Sequence, residues 1–200
     1  MSLHLQIPLP LPLNPMLKLY GGAFSRATIV KWYLEELAIA YEFIMLDMQA
    51  SEHRQDAFLQ INPFGKVPAI VEDDGWHLWE SGAILMYLAE KYAKTPLSLA
   101  KRAELNQWII FANATLGPGI FVEANREREM PRLLTTLNSI LEQQSYLVDN
   151  EFSIADVAVG SLLCYIPLML KLDLSPYPAV LDYMKRMTER SAFQKTLGKR

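Results

Sequence analysis

Residues 62–69 read Asn62-Pro63-Phe64-Gly65-Lys66-Val67-Pro68-Ala69, and Glu80-Ser81 stands further on, at the mouth of an amphipathic run from Ala83 to Tyr92. Pro68 lacks the N–H that a β-ladder needs, so the apolar stretch it interrupts cannot be an ordinary central strand over its whole length. Asn62-Pro63 closes whatever precedes it, because the residue before a proline is pushed away from helical backbone. The turn, the broken strand and the helix mouth after it set the frame for reading the rest.

Working backwards, residues 16–20 (MLKLY) form a short apolar strand that ends at Gly21-Gly22. Ser25 is placed to cap a following helix, on which Ile29, Val30, Tyr33, Leu34 and Leu37 share one face at helical spacing. Residues 41–46 read as a second strand and 51–60 as a short irregular helix. Residues 67–71 and 76–79 read as two strands about a turn at Glu72-Asp73-Asp74-Gly75, and 81–92 as a helix. A strand, crossover helix and strand imply a parallel pair, and the later hairpin an antiparallel one. The order β-α-β-α-β-β-α is the thioredoxin-like arrangement.

Working forwards, 94–98 (KTPLS) is a linker in which Pro96 blocks helix continuation, and strand signals vanish beyond it. Helices are expected over 99–116, 119–146, 153–171 and 177–190, with Gly117-Pro118-Gly119 separating the first two and Pro131 starting or kinking a segment. Ser153 and Asp156 form a capping-box variant, a folding signal rather than a catalytic one. The fold class is therefore α/β plus all-α: a thioredoxin-like domain over 16–93, a linker over 94–98 and a helical-bundle domain over 99–200.

The chain has 200 residues, 51% hydrophobic and 20% charged, enough for a sizeable core and too apolar for disorder. A net charge of −3 without a Lys/Arg cluster argues against nucleic acid or an anionic membrane as partner. The single cysteine, Cys164, excludes an intrachain disulfide and a C-x-x-C pair, which fits a reducing, cytoplasmic setting. It lies in an apolar helix, as an inert core residue. Residues 1–15 alternate Leu or Ile with Pro8, Pro10, Pro12 and Pro15, an extended arm that is either a free tail or a docking strand for another subunit. They lack the basic start and unbroken apolar run of an export signal. No stretch approaches the roughly 20 apolar residues of a membrane span. No second histidine stands at ligand spacing to His53, so no metal site is expected.

The NPFGKVPA stretch, Glu80-Ser81 and the Ser153-Ile154-Ala155-Asp156 cap, in this order and spacing, resemble the cytosolic glutathione transferases over about residues 16–195. Ser25-Arg26 followed by Val30-Lys31-Trp32 is similar to serine-type bacterial members, near the phi and cyanobacterial chi classes. The resemblance implies a cis Val67-Pro68 bond, with Val67 offering its backbone to the cysteinyl unit of glutathione. It implies Glu80 and Ser81 on the γ-glutamyl end, where a helix N-terminus favours a carboxylate. Lys66, His53 and Arg54 become ligands of the glycyl carboxylate. Ser25 is the expected thiolate donor, with Tyr20 the alternative, and Phe24 beside Ser25 is expected among the glutathione-binding residues, as is Pro68. The acceptor pocket between the domains draws on Phe24, Trp108, Phe111 and Ala112.

Two functions follow from the resemblance. One is an enzyme that binds glutathione as co-substrate and conjugates its thiolate to small hydrophobic electrophiles such as aryl halides or isothiocyanates, with glutathione-dependent reduction of organic hydroperoxides as a further, peroxidase activity. The other is a carrier or interaction module with the same fold. Retention of Ser25 and of the Glu80-Ser81 pair favours the enzyme, and a homodimer is implied.

Overall fold

The computed structural model describes residues 16–199; the proline-rich arm lies outside them. The first half runs β1 (Leu17–Gly21), α1 (Ala27–Glu36), β2 (Tyr41–Met45), a 3₁₀ turn (Glu52–Arg54), α2 (Asp56–Leu59), β3 (Ala69–Val71), β4 (His77–Trp79) and α3 (Ser81–Lys91). The strands form one sheet in the order β2-β1-β3-β4. β1 pairs with β2 in parallel, whereas β1–β3 and β3–β4 are antiparallel. This is the thioredoxin-like arrangement. β3 begins at Ala69 rather than Val67, because Pro68 cannot donate to the ladder and a central strand tolerates it only outside the paired residues.

Hydrophobic periodicity locates the core of this half. Leu17 and Leu19 alternate inward along β1, and Ile29, Val30, Tyr33 and Leu34 turn inward from α1. Trp32 is buried on the other flank of α1, where its ring meets Phe193 edge-on at 5.0 Å and Phe152 at 5.8 Å. Beside it, the Arg190 guanidinium donates to both Glu36 carboxylate oxygens at 2.7 and 2.8 Å and lies 3.5 Å over the Phe152 ring. This seam joins the two halves at the C-terminal end of α1, leaving the N-terminal end to face a cleft.

The second half is helical: α4 (Leu99–Ile110), a π-helical stretch (Phe111–Leu116), α5 (Gly117–Phe121), α6 (Glu123–Leu141), α7 (Ile154–Met169), α8 (Pro178–Thr188), α9 (Ser191–Lys195) and a 3₁₀ turn (Leu197–Lys199). Gly117-Pro118-Gly119 does not separate the first two long helices as expected. The chain stays helical through them and breaks at Val122, the one extended residue before α6. Pro118 falls where the π-helical stretch passes into α5, and the glycines serve close packing instead of a break. A Cβ on Gly119 would meet Leu133 Cδ1 at 2.5 Å. Pro131 sits inside α6, which ends at Leu141 rather than 146.

The buried core helix is α7. Its start is the expected capping box: Ser153 Oγ accepts from Ala155 N at 3.2 Å, and Asp156 Oδ2 accepts from Ser153 N at 2.9 Å. Asp156 Oδ1 also accepts from Leu147 N and from the Tyr183 hydroxyl, both at 3.0 Å. Burial raises the Asp156 carboxyl despite these four donors' opposing pull, one of them the Ser153 hydroxyl.

Candidate functional site

The quoted turn is held by Asn62, a buried residue read from sequence only as a helix stop. Its Nδ2 donates to Lys66 O at 2.6 Å and its Oδ1 accepts from Phe64 N at 3.1 Å, while Gly65 N donates to Asn62 O at 2.9 Å. Gly65 has φ 58°, and a Cβ there would lie 2.8 Å from His53 O. Left-handed backbone and this contact together require glycine. The turn delivers Lys66 and Val67 to the edge of a cavity, and the Val67-Pro68 peptide bond is cis.

Opposite stands the start of α3. Glu80 has φ 72° and ψ 118°, outside the regions that side-chain-bearing residues prefer. Such outliers cluster at ligand sites. Glu80 takes the capping position of α3, without a side-chain cap bond, and Ser81 is its first helical residue. Glu80 is exposed and Ser81 buried. Arg26, Asn62, Lys66, Val67, Pro68, Glu80 and Ser81 line a cavity of about 270 Å³.

The turn before α1 carries Ser25. The capping residue of α1 is Arg26, without a side-chain bond, rather than Ser25. Ser25 Oγ instead donates to Gly22 O at 3.0 Å and accepts from Gly22 N at 3.1 Å and Ala27 N at 3.3 Å. Ser25 faces two further cavities. One, about 220 Å³, lies between the domains and is lined by Phe24, Ser25, Arg26, Phe121, Leu162, Tyr165 and Met169. The other is an open cleft of about 730 Å³ beyond the same turn, with Phe24, Ser25, Met45 and Met48 among its walls.

Arg26 is the residue that sequence reasoning missed. It borders both the 270 Å³ and the 220 Å³ cavities. Its Nη1 donates to Asn113 Oδ1 at 3.1 Å, and Asn113 Nδ2 donates to Ile109 O at 3.0 Å. Asn113 lies in the π-helical stretch, a distortion common at functional sites. A Cβ on Gly82 would sit 3.1 Å from Asn113 Nδ2, so Asn113 also abuts the start of α3. A basic residue beside a candidate helix-start serine was the available signal.

Other expected residues fall elsewhere. Tyr20 packs on Phe58, ring centroids 5.7 Å apart, and lines none of these three cavities. His53 and Arg54 form the 3₁₀ turn against Gly65, with Arg54 Nε donating to His53 Nε2 at 3.3 Å, outside the cavity lining. Of the acceptor candidates only Phe24 lines the interdomain cavity, and it is 85% exposed. Trp108 and Phe111 pack on each other edge-on at 5.6 Å, and Ala112 is buried in the core. Their places are taken by Phe121 after the π-helical stretch and by Leu162, Tyr165 and Met169 of α7. Cys164, next to Tyr165, points into the core, and burial pushes its thiol up to about 12. Among the described residues no cluster of three or more His, Cys, Asp or Glu could hold a metal ion.

Family profiles described as "Glutathione S-transferase, N-terminal domain" and "Glutathione S-transferase, C-terminal domain" match residues 15–90 and 122–191. The disulfide-bond oxidoreductase YfcG of Escherichia coli (strain K12) is 32% identical, over 92% of this chain and 95% of its own. The glutathione transferase URE2P6 of Phanerochaete chrysosporium, solved with oxidized glutathione, superposes with a TM-score of 0.81 at 28% identity, covering 93% of this chain and 96% of its own. A glutathione transferase of Burkholderia graminis, solved with two glutathione molecules per subunit, gives a TM-score of 0.78 at 27% identity, covering 93% and 89%.

Proposed function

The chain belongs to the glutathione S-transferase family, and on that premise we propose that it binds glutathione as a thiolate in the 270 Å³ cavity and conjugates it to a small hydrophobic electrophile. The observation that carries this reading is that Arg26 borders both smaller cavities, and Ser25 beside it borders the apolar one. A sulfur at their junction meets a hydroxyl and a cation on one side and apolar walls on the other.

Each end of the tripeptide finds matching chemistry. Its γ-glutamyl carboxylate faces Ser81 and the positive end of α3, which has no acidic residue in its first turn. Glu80 pairs with the γ-glutamyl amine. Val67 offers its backbone to the cysteinyl unit, and Lys66, which is exposed, meets the glycyl carboxylate.

Magnitudes decide how the thiol is activated. A free thiol titrates near 8.5, and lowering it by about two units requires roughly 2.7 kcal/mol of preference for the thiolate. A hydrogen bond to a charged group contributes about 1.5–3 kcal/mol, but the Ser25 hydroxyl must first leave Gly22 O, forgoing about 1 kcal/mol. Ser25 alone therefore falls short. The start of α1 adds about 0.3–1 kcal/mol, and the permanently charged Arg26 guanidinium makes up the remainder. The thiolate then attacks the electrophilic carbon; with an aryl halide a C–S bond forms, halide leaves, and the thiol proton has already passed to solvent.

A second reading has its own observation. The 730 Å³ cleft shares Phe24 and Ser25 with the interdomain cavity and is roomy enough for a second glutathione or a disulfide. There the bound thiolate attacks a disulfide, giving a mixed disulfide and a free thiolate. A second glutathione thiolate then releases glutathione disulfide. No protein thiol takes part, since Cys164 is buried and protonated.

The test compares both reactions on one preparation. Conjugation of an aryl halide is followed by absorbance, and reduction of a small dialkyl disulfide by coupling glutathione disulfide to glutathione reductase. Conjugation is expected to dominate; disulfide reduction without conjugation would hand the site to the second reading. Absence of both, with no glutathione binding, would leave a carrier or interaction module. The same proposal includes a homodimer, to be read as the mass of two chains in sedimentation, and a cytoplasmic location. Among the described residues no helix is long and apolar enough to cross a membrane.

A further inference from the structure

α7 is the core of the helical domain, yet one of its residues reaches the turn that carries Ser25. Tyr165 is 6% exposed and its ring lines the apolar cavity beside Phe24 and Ser25. Its hydroxyl lies 3.0 Å from Thr28 Oγ1, and Thr28 Oγ1 donates to Ser25 O at 2.9 Å. The direction of the first bond follows from the second. Ser25 O is a carbonyl and can only accept, so the single Thr28 hydroxyl proton points at it, and Tyr165 must be the donor to Thr28. The result is a directed chain from Tyr165 through Thr28 to Ser25 O, in which each bond polarises the next.

The end of that chain is not neutral ground. Ser25 O belongs to the peptide plane that joins Ser25 to Arg26, the two residues proposed to face the sulfur. Thr28 N also donates to the same carbonyl, at 3.3 Å. The tilt of this plane sets where the Ser25 hydroxyl and the Arg26 side chain leave the backbone. Resting on the function proposed above, we propose that Tyr165 is a positioning residue: through Thr28 it fixes the Ser25–Arg26 peptide, and with its ring it walls the acceptor pocket. One side chain thereby registers the acceptor against the group that activates glutathione. The ring and the hydroxyl have separable duties, which a substitution can part.

Tyr165→Phe keeps the wall and removes the relay. The expected result is unchanged KM for the acceptor, a fall in kcat/KM for glutathione of about two- to tenfold, and a bound-glutathione thiol that titrates at higher pH than in the wild type. Thr28→Val should do the same, Thr28→Ser should restore wild-type behaviour, and the double variant Tyr165→Phe/Thr28→Val should be no worse than either alone. A merely structural role would lower the melting temperature and leave the thiol titration where it was, which would overturn the inference. So would additive losses in the double variant. Wild-type protein that binds glutathione without forming thiolate would remove the proposed function and this inference together. Thiolate in wild type that is unchanged in both Tyr165→Phe and Thr28→Val removes the inference alone.

Discussion

Two serines stand at helix starts, and their surroundings are opposite. Ser153 opens α7 inside a closed box: its hydroxyl takes a backbone N–H, Asp156 reaches back, and Tyr183 and Leu147 donate to the same carboxylate. Every polar group there has a protein partner, and the helix start already has its anion. Ser25 precedes α1, whose first turn has no acid and whose capping residue makes no side-chain bond. Its hydroxyl is parked on Gly22, in a bond that a charged acceptor would out-compete. α3 starts in the same way, behind Glu80 with its left-handed φ. A helix start that carries its own carboxylate holds a fold together, and one with no acid in its first turn that faces a cavity is equipped to receive an anion.

The sharpest way to break the comparison is to open the closed box. Asp156→Ala strands the Leu147 and Ser153 amides and the Tyr183 hydroxyl without their acceptor in the core, and should cost about 3–5 kcal/mol of unfolding free energy in urea. Glutathione affinity of the protein that remains folded should be unaltered. Ser153→Ala removes one cap bond and should cost about 1 kcal/mol, again with normal kinetics per folded molecule. A loss of activity beyond the loss of folded protein in either variant would merge the two classes of serine.

The smallest expected effect is a null one, on α7 itself. Burial raises the Cys164 thiol from 9.0 to about 12 and likewise lifts the Tyr33 phenol from 10.0 to about 12. Iodoacetamide at pH 8 should therefore leave native Cys164 unmodified and label it rapidly in denaturant, as mass spectrometry would show. The sign of the pH dependence follows. Between about 9 and 12 the folded state holds these protons after the unfolded chain has shed them, so stability is intact below that window and falls as pH rises through it.

The closed elements were the ones most legible in the sequence. The Ser153 box, the alternation along β1 and the inward face of α1 are local patterns, each satisfied within a few residues of chain. The thioredoxin-like order came from counting such patterns, and the Pro68 reading followed from one missing N–H. What escaped was set by distant partners. Gly117 and Gly119 look like breakers until α6 is known to press on them, and Trp108 and Phe111 look like pocket walls until the π-helical stretch turns them onto each other. Arg26 is unremarkable until Asn113 is brought to it across 87 residues of chain. The interdomain pocket needs both halves in place, so its α7 residues carried no mark of their role.

The central claim is that the Ser25 hydroxyl and its neighbouring cation make a thiolate. Ser25→Ala and wild type should be titrated with glutathione by calorimetry, and the thiolate absorbance of each complex followed against pH. The expected result is that both bind, that the wild-type complex forms thiolate about two pH units below free glutathione, and that the Ser25→Ala complex does so about half a unit to one and a half units higher than wild type. Identical titrations in the two complexes, or a wild type that binds no glutathione, would contradict it.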